Sequence, residues 1–232
     1  MSLFSHSAQE LPYPILEVCF NSHSGSHRSN RPSNSPFQNL KTYASLSNGP
    51  EQLSLTWDVI NSGAQSLEAV SIENYGKFSV PPMALTLDRL VNLTYLSYSQ
   101  RHIPWFTPEN YDQNIGKLSQ FLITKAPMKH LERIDLELQC HVAGVPDPSF
   151  DAETVAQWRH FDHVFSGPQY PALQYLFVKI FVEIILESIS DDFDVNIFTD
   201  LATLELERCF VQLSTRDKTV FKVDVGASVE VV

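Results

Sequence analysis

Apolar residues recur along the chain in a six-residue frame, Leu-x-x-Leu-x-Leu, whose first, fourth and sixth positions are apolar. Copies begin at Ile15, Leu40, Leu67, Leu93, Leu131, Leu173 and Leu201. Successive starts are 25, 27, 26, 38, 42 and 28 residues apart. A period of roughly 20–29 residues is typical of leucine-rich repeats, so four of these spacings fit one repeat each. The two long spacings indicate insertions.

Each frame predicts a short strand, because apolar and polar residues alternate within it, as they do in Leu131–Leu138. The predicted strands lie near 15–20, 40–46, 67–73, 93–99, 131–138, 173–180 and 201–207, and a C-terminal capping strand lies near 220–225. Helical patterns separate most frames, at 51–60, 82–91, 110–124 and, less clearly, 190–198. The best is 151–165, where Asp151 is an N-cap candidate. The predicted fold is α/β: an irregular leucine-rich-repeat solenoid, or horseshoe, with a curved parallel sheet and helices or loops on its convex side. Residues 1–232 then form one domain of about seven irregular repeats.

Two features depart from a regular repeat. Regular repeats place Asn or Cys eight residues after the frame begins, and only Asn48 and Cys209 fit that position. Residues 21–36 are rich in Ser and Asn, lack periodicity, and are interpreted as a polar loop.

Composition narrows the class of function. The formal charge is −11 and no basic cluster is evident, so nucleic-acid binding is not expected. The three cysteines, Cys19, Cys140 and Cys209, form no C-x-x-C pair, which favours reduced thiols in an intracellular protein, cytoplasmic or nuclear. The N-terminus has no signal-peptide pattern and no apolar run is long enough to span a membrane, so we expect no membrane association.

The frame also predicts a binding surface, because residues between the buried positions point to the opposite face of the sheet. On this concave face we expect a protein partner to be bound by Tyr95, Ser97, Arg133, Asp135, Glu137, Tyr175, Phe177, Lys179, Glu205 and Glu207. Aromatic residues beside an arginine are typical of interaction hot spots, and the four carboxylates favour a partner with a basic segment. The alternative is that Tyr175 and Phe177 pack beneath an inserted loop.

The chain resembles the leucine-rich-repeat region of fungal-type F-box/LRR-like proteins over roughly residues 12–210. The resemblance depends on the strand frames, on Ser66–Ile72, and on the phrase that runs from Phe161–Phe165 to Tyr170–Leu176. It implies a ribonuclease-inhibitor-like horseshoe that recruits a protein client to a ubiquitin ligase. The F-box itself is not recognisable. Leu11–Phe20 is similar to an F-box opening, but Pro14 suits a strand entry more than a helix interior, which favours the first repeat strand over the stub of a decayed F-box. A ligase adaptor is expected only if an F-box is supplied elsewhere.

The one candidate for a catalytic site is the motif His160-Phe161-Asp162-His163. Its two histidines share a helix face and could bind a metal ion together with Asp162. The apolar stripe of the same helix places these histidines at its flanks, and no further ligand follows at suitable spacing. We therefore predict a protein that is not an enzyme and uses no metal or cofactor, and that recognises a protein partner. The alternatives are a truncated repeat remnant without its effector domain and a metal-dependent enzyme.

Overall fold

The computed structural model describes residues 37–75, 87–104, 118, 121–187 and 193–232. The strand predicted at 15–20, the polar loop at 21–36, the segment Leu11–Phe20 and Cys19 lie outside these residues.

The centre of the structure is a mixed α/β arrangement built on one open, six-stranded parallel sheet. Its strands follow the chain in order, each pairing with the next. They are β1 (Thr42–Ser47), β2 (Ala69–Asn74), β3 (Tyr95–Pro104), β4 (Arg133–Ala143), β5 (Tyr175–Leu186) and β6 (Val220–Val231). The strands predicted near 40–46, 67–73, 93–99, 131–138 and 173–180 are confirmed, and the last three of these run further than predicted.

The apolar positions of the frame form columns across the sheet. One column is Tyr43, Val70, Leu96, Ile134, Leu176 and Phe221, and the next is Ser45, Ile72, Tyr98, Leu136, Val178 and Val223. All of these are buried except Phe221, which is partly buried. Since side chains alternate between the two faces of a strand, burial at these positions defines the face of the sheet that carries the core.

Helices and loops cover that face. They are α1 (Pro50–Ser62), a 3₁₀ turn (Leu87–Arg89), α2 (Ala152–Ser166), α3 (Val195–Glu207) and α4 (Val211–Ser214). Trp57 of α1 and Trp158 of α2 are buried in the same apolar cluster as the strand residues. The α2 helix begins as predicted, with the Asp151 carboxylate accepting the Thr154 N–H at 2.7 Å.

The strand predicted at 201–207 is wrong, because these residues form the C-terminal half of α3. The Asp194 carboxylate caps the helix, and Phe198, Ala202 and Leu206 are buried at a spacing of one helical turn. Leu201 and Leu204, which the frame predicts to be buried, are 45% and 48% exposed. The Leu-x-x-Leu-x-Leu spacing fits a helix as well as a strand, and no continuing alternation decides between them here.

The strand that completes the sheet is β6. The capping strand predicted near 220–225 is confirmed and extends to Val231. By register, its frame begins at Lys218, three residues before Phe221. Because a lysine occupies the first apolar position, the sequence of this unit does not match the frame.

Candidate protein-binding face

The second face of the sheet is not covered by the described helices, and we call it the open face. Its residues lie between the buried columns and form rows that cross β3 to β6. The rows are Tyr95–Arg133–Tyr175–Val220, Ser97–Asp135–Phe177–Lys222 and Ser99–Glu137–Lys179–Asp224. Every one of these side chains is partly or largely exposed. A contiguous, polar and aromatic surface on a rigid sheet is suited to binding rather than to packing.

The most ordered part of the open face is the Arg133 cluster, formed by Tyr95, Arg133, Asp135 and Phe177. Arg133 donates from Nε to both oxygens of Asp135, at 3.0 and 3.1 Å, and from Nη2 to Oδ2 at 2.9 Å. The guanidinium carbon lies 5.5 Å from the centre of the Tyr95 ring and 5.1 Å from that of Phe177. Tyr95 donates its hydroxyl to Asp135 Oδ2 at 2.9 Å. Three neighbouring strands are thereby joined through one guanidinium, which holds both rings in place.

The cluster changes the acidity of its own groups. Partial burial, with the negative charge of Asp135 nearby, raises the pKa of the Tyr95 phenol to about 12. The hydrogen bonds to Asp135 raise the pKa of Arg133 above its usual value. At neutral pH the cluster therefore holds a neutral phenol and a compensated ion pair, and it adds no net charge to the surface.

A second polar cluster extends the open face towards the carboxyl ends of the strands. Arg101 donates from Nη2 to Glu73 Oε1 at 2.6 Å and from Nη1 to Gln139 Oε1 at 3.0 Å, and Gln139 donates onward to Glu183 at 2.6 Å. The Arg101 guanidinium also lies 4.5 Å from the centre of the Tyr75 ring. This chain of contacts ties β2, β3, β4 and β5 together and keeps the side chains in a fixed arrangement.

Between the Arg133 cluster and β6 lies a shallow depression of about 290 Å³. Its charged lining includes Glu137, Lys179, Lys222 and Asp224, with Phe177 on its apolar side. Among the described residues, neither Lys179 nor Lys222 has a carboxylate within 4.0 Å. Beside the paired Arg133 and Asp135, which also line it, the depression thus offers two lysines, two carboxylates and an aromatic edge to a ligand.

The structure brings eight of the ten predicted site residues together. Tyr95, Ser97, Arg133, Asp135, Glu137, Tyr175, Phe177 and Lys179 all lie on the open face. Tyr175 is 41% exposed, whereas Phe177 is partly buried beside Arg133. Both lie on the face that the described helices leave uncovered.

Glu205 and Glu207 are the two exceptions, and their assignment to the concave face is wrong. Both lie on α3, on the helical side of the sheet, and Glu205 pairs with Arg208. The four-carboxylate acidic flank is therefore not assembled. Of its members on the open face, Asp135 is neutralised by Arg133, and Glu137 remains.

Several residues of the open face were not predicted. Arg101, Gln139 and Glu183 lie eight or more residues after their frames begin, beyond the positions assigned to the binding face. Glu73 has the same frame position as Glu137 and Lys179 but belongs to an earlier repeat, and Lys222 and Asp224 belong to a strand predicted only as a cap. A signal for the first group exists in the sequence. The alternation continues past the frame in β4 and β5, through buried Leu138, Cys140, Ile180 and Val182.

The motif His160-Phe161-Asp162-His163 has a structural explanation. Asp162 is 3% exposed, and its carboxylate oxygens accept the N–H groups of Gln212 and Leu213, each at 2.8 Å. His160 and His163 are exposed on α2. Asp162 thus caps the first turn of α4, and the described residues contain no group of three His, Cys, Asp or Glu side chains placed to hold a metal ion.

The described thiols are equally sequestered. Cys140 and Cys209 are both buried and unpaired with another cysteine. Burial raises the pKa of both, that of Cys209 to about 11. A thiol with so high a pKa is protonated at neutral pH and is a poor nucleophile.

In comparisons with known proteins, no family model, no curated protein and no solved structure matches the chain. Within the part of the chain that the structure describes, no helix is both long and apolar enough to traverse a lipid bilayer.

Proposed function

We propose that the chain is an irregular leucine-rich-repeat solenoid that recognises a protein partner through its open face, without catalysis. The observation that carries the proposal is the arrangement of Tyr95, Arg133, Tyr175 and Phe177 on adjacent parallel strands, uncovered by the described helices. Two further features support a solenoid: the strands follow chain order, and the frame positions align in columns.

The open face has the composition of a protein-binding hot spot. Tyr and Arg are enriched where a few residues supply most of the binding free energy, and a rigid surface loses little entropy on binding. Arg133 is already oriented by Asp135 and by two rings, so its position is set before any partner arrives. Tyr175 is the most exposed aromatic residue of the site and is the natural first anchor.

The chemistry of the partner follows from the depression beside the Arg133 cluster. Glu137 and Asp224 alternate with Lys179 and Lys222, so the complementary segment carries charges of both signs around an apolar or aromatic side chain. The sequence predicts a basic partner segment that contacts four carboxylates, but Glu205 and Glu207 are not on the open face. Of that prediction we retain one positive charge on the partner, placed opposite Glu137.

In keeping with the family resemblance, we propose that the partner is a client protein and that the chain serves as the client-binding part of an F-box-type ubiquitin ligase receptor. Its location in the cell would then be cytoplasmic or nuclear. A ligase adaptor binds only if an F-box is supplied.

The test is affinity capture with quantitative mass spectrometry, followed by binding of the purified partner. The variants are Tyr175→Ala and Lys179→Glu, which leave the Arg133–Asp135 pair intact. The matched control is Leu55→Ala, at a 48%-exposed position on α1. The proposal predicts a partner that the unaltered chain and Leu55→Ala bind equally and that both open-face variants bind at least tenfold more weakly. Equal binding by all four proteins contradicts it.

A further inference from the structure

The outer edge of β6 is the surface from which we draw a further inference, independent of the proposed function. β6 pairs with β5 along its length, with the N–H of Val220 bonding Gln174 O at 2.7 Å and that of Val232 bonding Leu186 O at 3.0 Å. Successive residues of a strand direct their backbone groups to opposite edges. Even-numbered residues of β6 therefore face β5, and odd-numbered residues direct their N–H and C=O groups outward. Such an edge is a template for another strand.

The two halves of this edge differ in a complementary way. Beside the first half lies a groove of about 690 Å³ whose apolar wall is formed by Leu204 of α3, Val211 of α4, and Phe221 and Val223. Glu207 and Arg208, at the end of α3, also line it. On the second half, Val229 and Val231 are 36% and 49% exposed. All odd-numbered side chains of β6 lie on the same face of the sheet, so the groove and the exposed valines are on one side.

A twofold axis through Gly226 matches these halves to each other. Consider two β6 strands, one from each copy, paired antiparallel so that the two Gly226 residues face each other. On the face of the sheet that carries the helices, all opposed side chains are then apolar. On the open face, Lys222 of one copy lies opposite Glu230 of the other. The full set of opposed positions is Phe221 with Val231, Lys222 with Glu230, Val223 with Val229, Asp224 with Ser228, and Val225 with Ala227. The outward-facing odd-numbered residues meet odd-numbered residues, as antiparallel hydrogen bonding requires.

Neighbouring registers lack this complementarity. An axis through Asp224 opposes the two Asp224 carboxylates, and an axis through Ala227 opposes Asp224 to Glu230. An axis through Val223 does oppose Lys222 to Asp224, but it leaves Val229 and Val231 without partners. An axis through Val225 opposes Lys222 to Ser228.

Gly226 suits the position on the axis. A methyl group there would lie 3.3 Å from the Phe181 ring, so this ring already covers the glycine on the open face. In a non-hydrogen-bonded antiparallel pair the two Cα atoms approach to roughly 4.5 Å, and the absence of a side chain permits it.

We propose that β6 is a self-association surface: two copies of this chain pair antiparallel through β6 about Gly226, so that Val229 and Val231 of each copy enter the other's groove. The interface is isologous, the same patch serving both copies. The two sheets become continuous, and the two open faces lie on the same side of the dimer.

The test is sedimentation velocity of the full chain over a concentration series, with a charge-swap set. Lys222→Glu and Glu230→Lys each place like charges opposite one another twice per dimer, whereas the double variant restores opposite charges. Both side chains are exposed, so the folded monomer tolerates each change. We expect each single variant to raise the dissociation constant of the dimer severalfold, because two attractive charge pairs become repulsive, and the double variant to restore it.

Val229→Asp provides a second probe, since it places a carboxylate opposite the buried Val223 of the other copy, and we expect it to weaken the dimer. Circular dichroism shows whether each variant remains folded. A chain that stays monomeric up to about 100 μM, or a dimer that neither single charge variant nor Val229→Asp weakens, overturns the proposal.

Discussion

Removing the carboxylate of Asp162 is expected to destabilise the protein, because α4 loses its N-terminal cap. We expect no effect on metal binding. Asp162 is buried on α2, and its two oxygens accept the N–H groups of Gln212 and Leu213. These are orphan donors at the start of a helix of four residues, Val211–Ser214, which has no side-chain cap of its own. The carboxylate therefore supplies the capping that α4 lacks.

The magnitude follows from the two bonds. Asp162→Ala leaves two backbone donors without an acceptor, and a hydrogen bond to a charged group contributes roughly 1.5–3 kcal/mol. We expect the free energy of unfolding to fall by about 3 kcal/mol, a large share of a typical stability of roughly 5–15 kcal/mol. Asp162→Asn keeps one acceptor oxygen and turns its amide against the second N–H, so about half of that loss is expected.

Urea denaturation monitored by circular dichroism and by tryptophan fluorescence measures both losses. Trp158 reports on this region directly, because its ring centre lies 5.8 Å from that of Phe210, the residue before α4. The controls are His160→Ala and His163→Ala, which alter exposed side chains of the same motif and should change stability by less than about 0.5 kcal/mol. A chelator should have no effect on any of these values. Wild-type stability for Asp162→Ala, or losses of similar size for the two histidine variants, would refute the reasoning.

Three further outcomes are expected. Leu96→Ala, in β3, should cost about 2–5 kcal/mol of stability, whereas Leu204→Ala, in α3, should cost under about 1 kcal/mol because its side chain is 48% exposed. Equal losses would contradict the exposed position of Leu204. The fold raises the pKa of Tyr95 to about 12 and so favours the neutral phenol. The resulting stabilisation is complete below the unfolded pKa of roughly 10 and is lost as the pH rises through about 12. Over that pH range, the thermal midpoint of Tyr95→Phe should therefore fall less steeply than that of the wild-type protein. Parallel plots of midpoint against pH would contradict the raised pKa of Tyr95. Cys140 and Cys209 should resist a thiol reagent at pH 7.5 until urea unfolds the chain, as peptide mapping of the labelled protein will show; rapid labelling of either in the native state would be inconsistent with their burial.

The hydrophobic frame was enough to predict most of the sheet. Where alternation is long, as in β4 and β5, the strand, its register and its buried positions all follow from it. Open-face residues on these strands were predicted for the same reason, because a side chain between two buried neighbours must point the other way.

The errors arise where the local pattern is ambiguous. Leu201, Leu204 and Leu206 match the frame, yet they lie on a helix that Asp194 begins and that Phe198 and Ala202 anchor in the core. Only the packing of α3 on β6 decides the matter, and the frame contains no information about it. The misplaced Glu205 and Glu207 are a direct consequence.

Other features depend on contacts between residues distant in sequence. Asn74 donates its side-chain amide to Gln100 at 2.8 Å in the buried interior, seven positions into successive frames, at a position that the repeat pattern leaves unspecified. The capping of α4 by Asp162 joins residues about fifty positions apart. The frame aligns Asn74 with Gln100 but does not indicate that they bond, and neither the spacing nor the composition of the chain indicates the contact of Asp162 with α4.

Site-specific photo-crosslinking tests the central claim, recognition through the open face, most directly. A photoreactive phenylalanine analogue is placed at position 175 or 179 on the open face, or at position 55 on α1 as the control, and crosslinked products are identified in cells and with purified partner. The account predicts that positions 175 and 179 crosslink to the same protein, with products on adjacent residues of one segment, and that position 55 does not. Crosslinks from position 55 to that same segment, or none from the open face to any protein other than the chain itself, would contradict it.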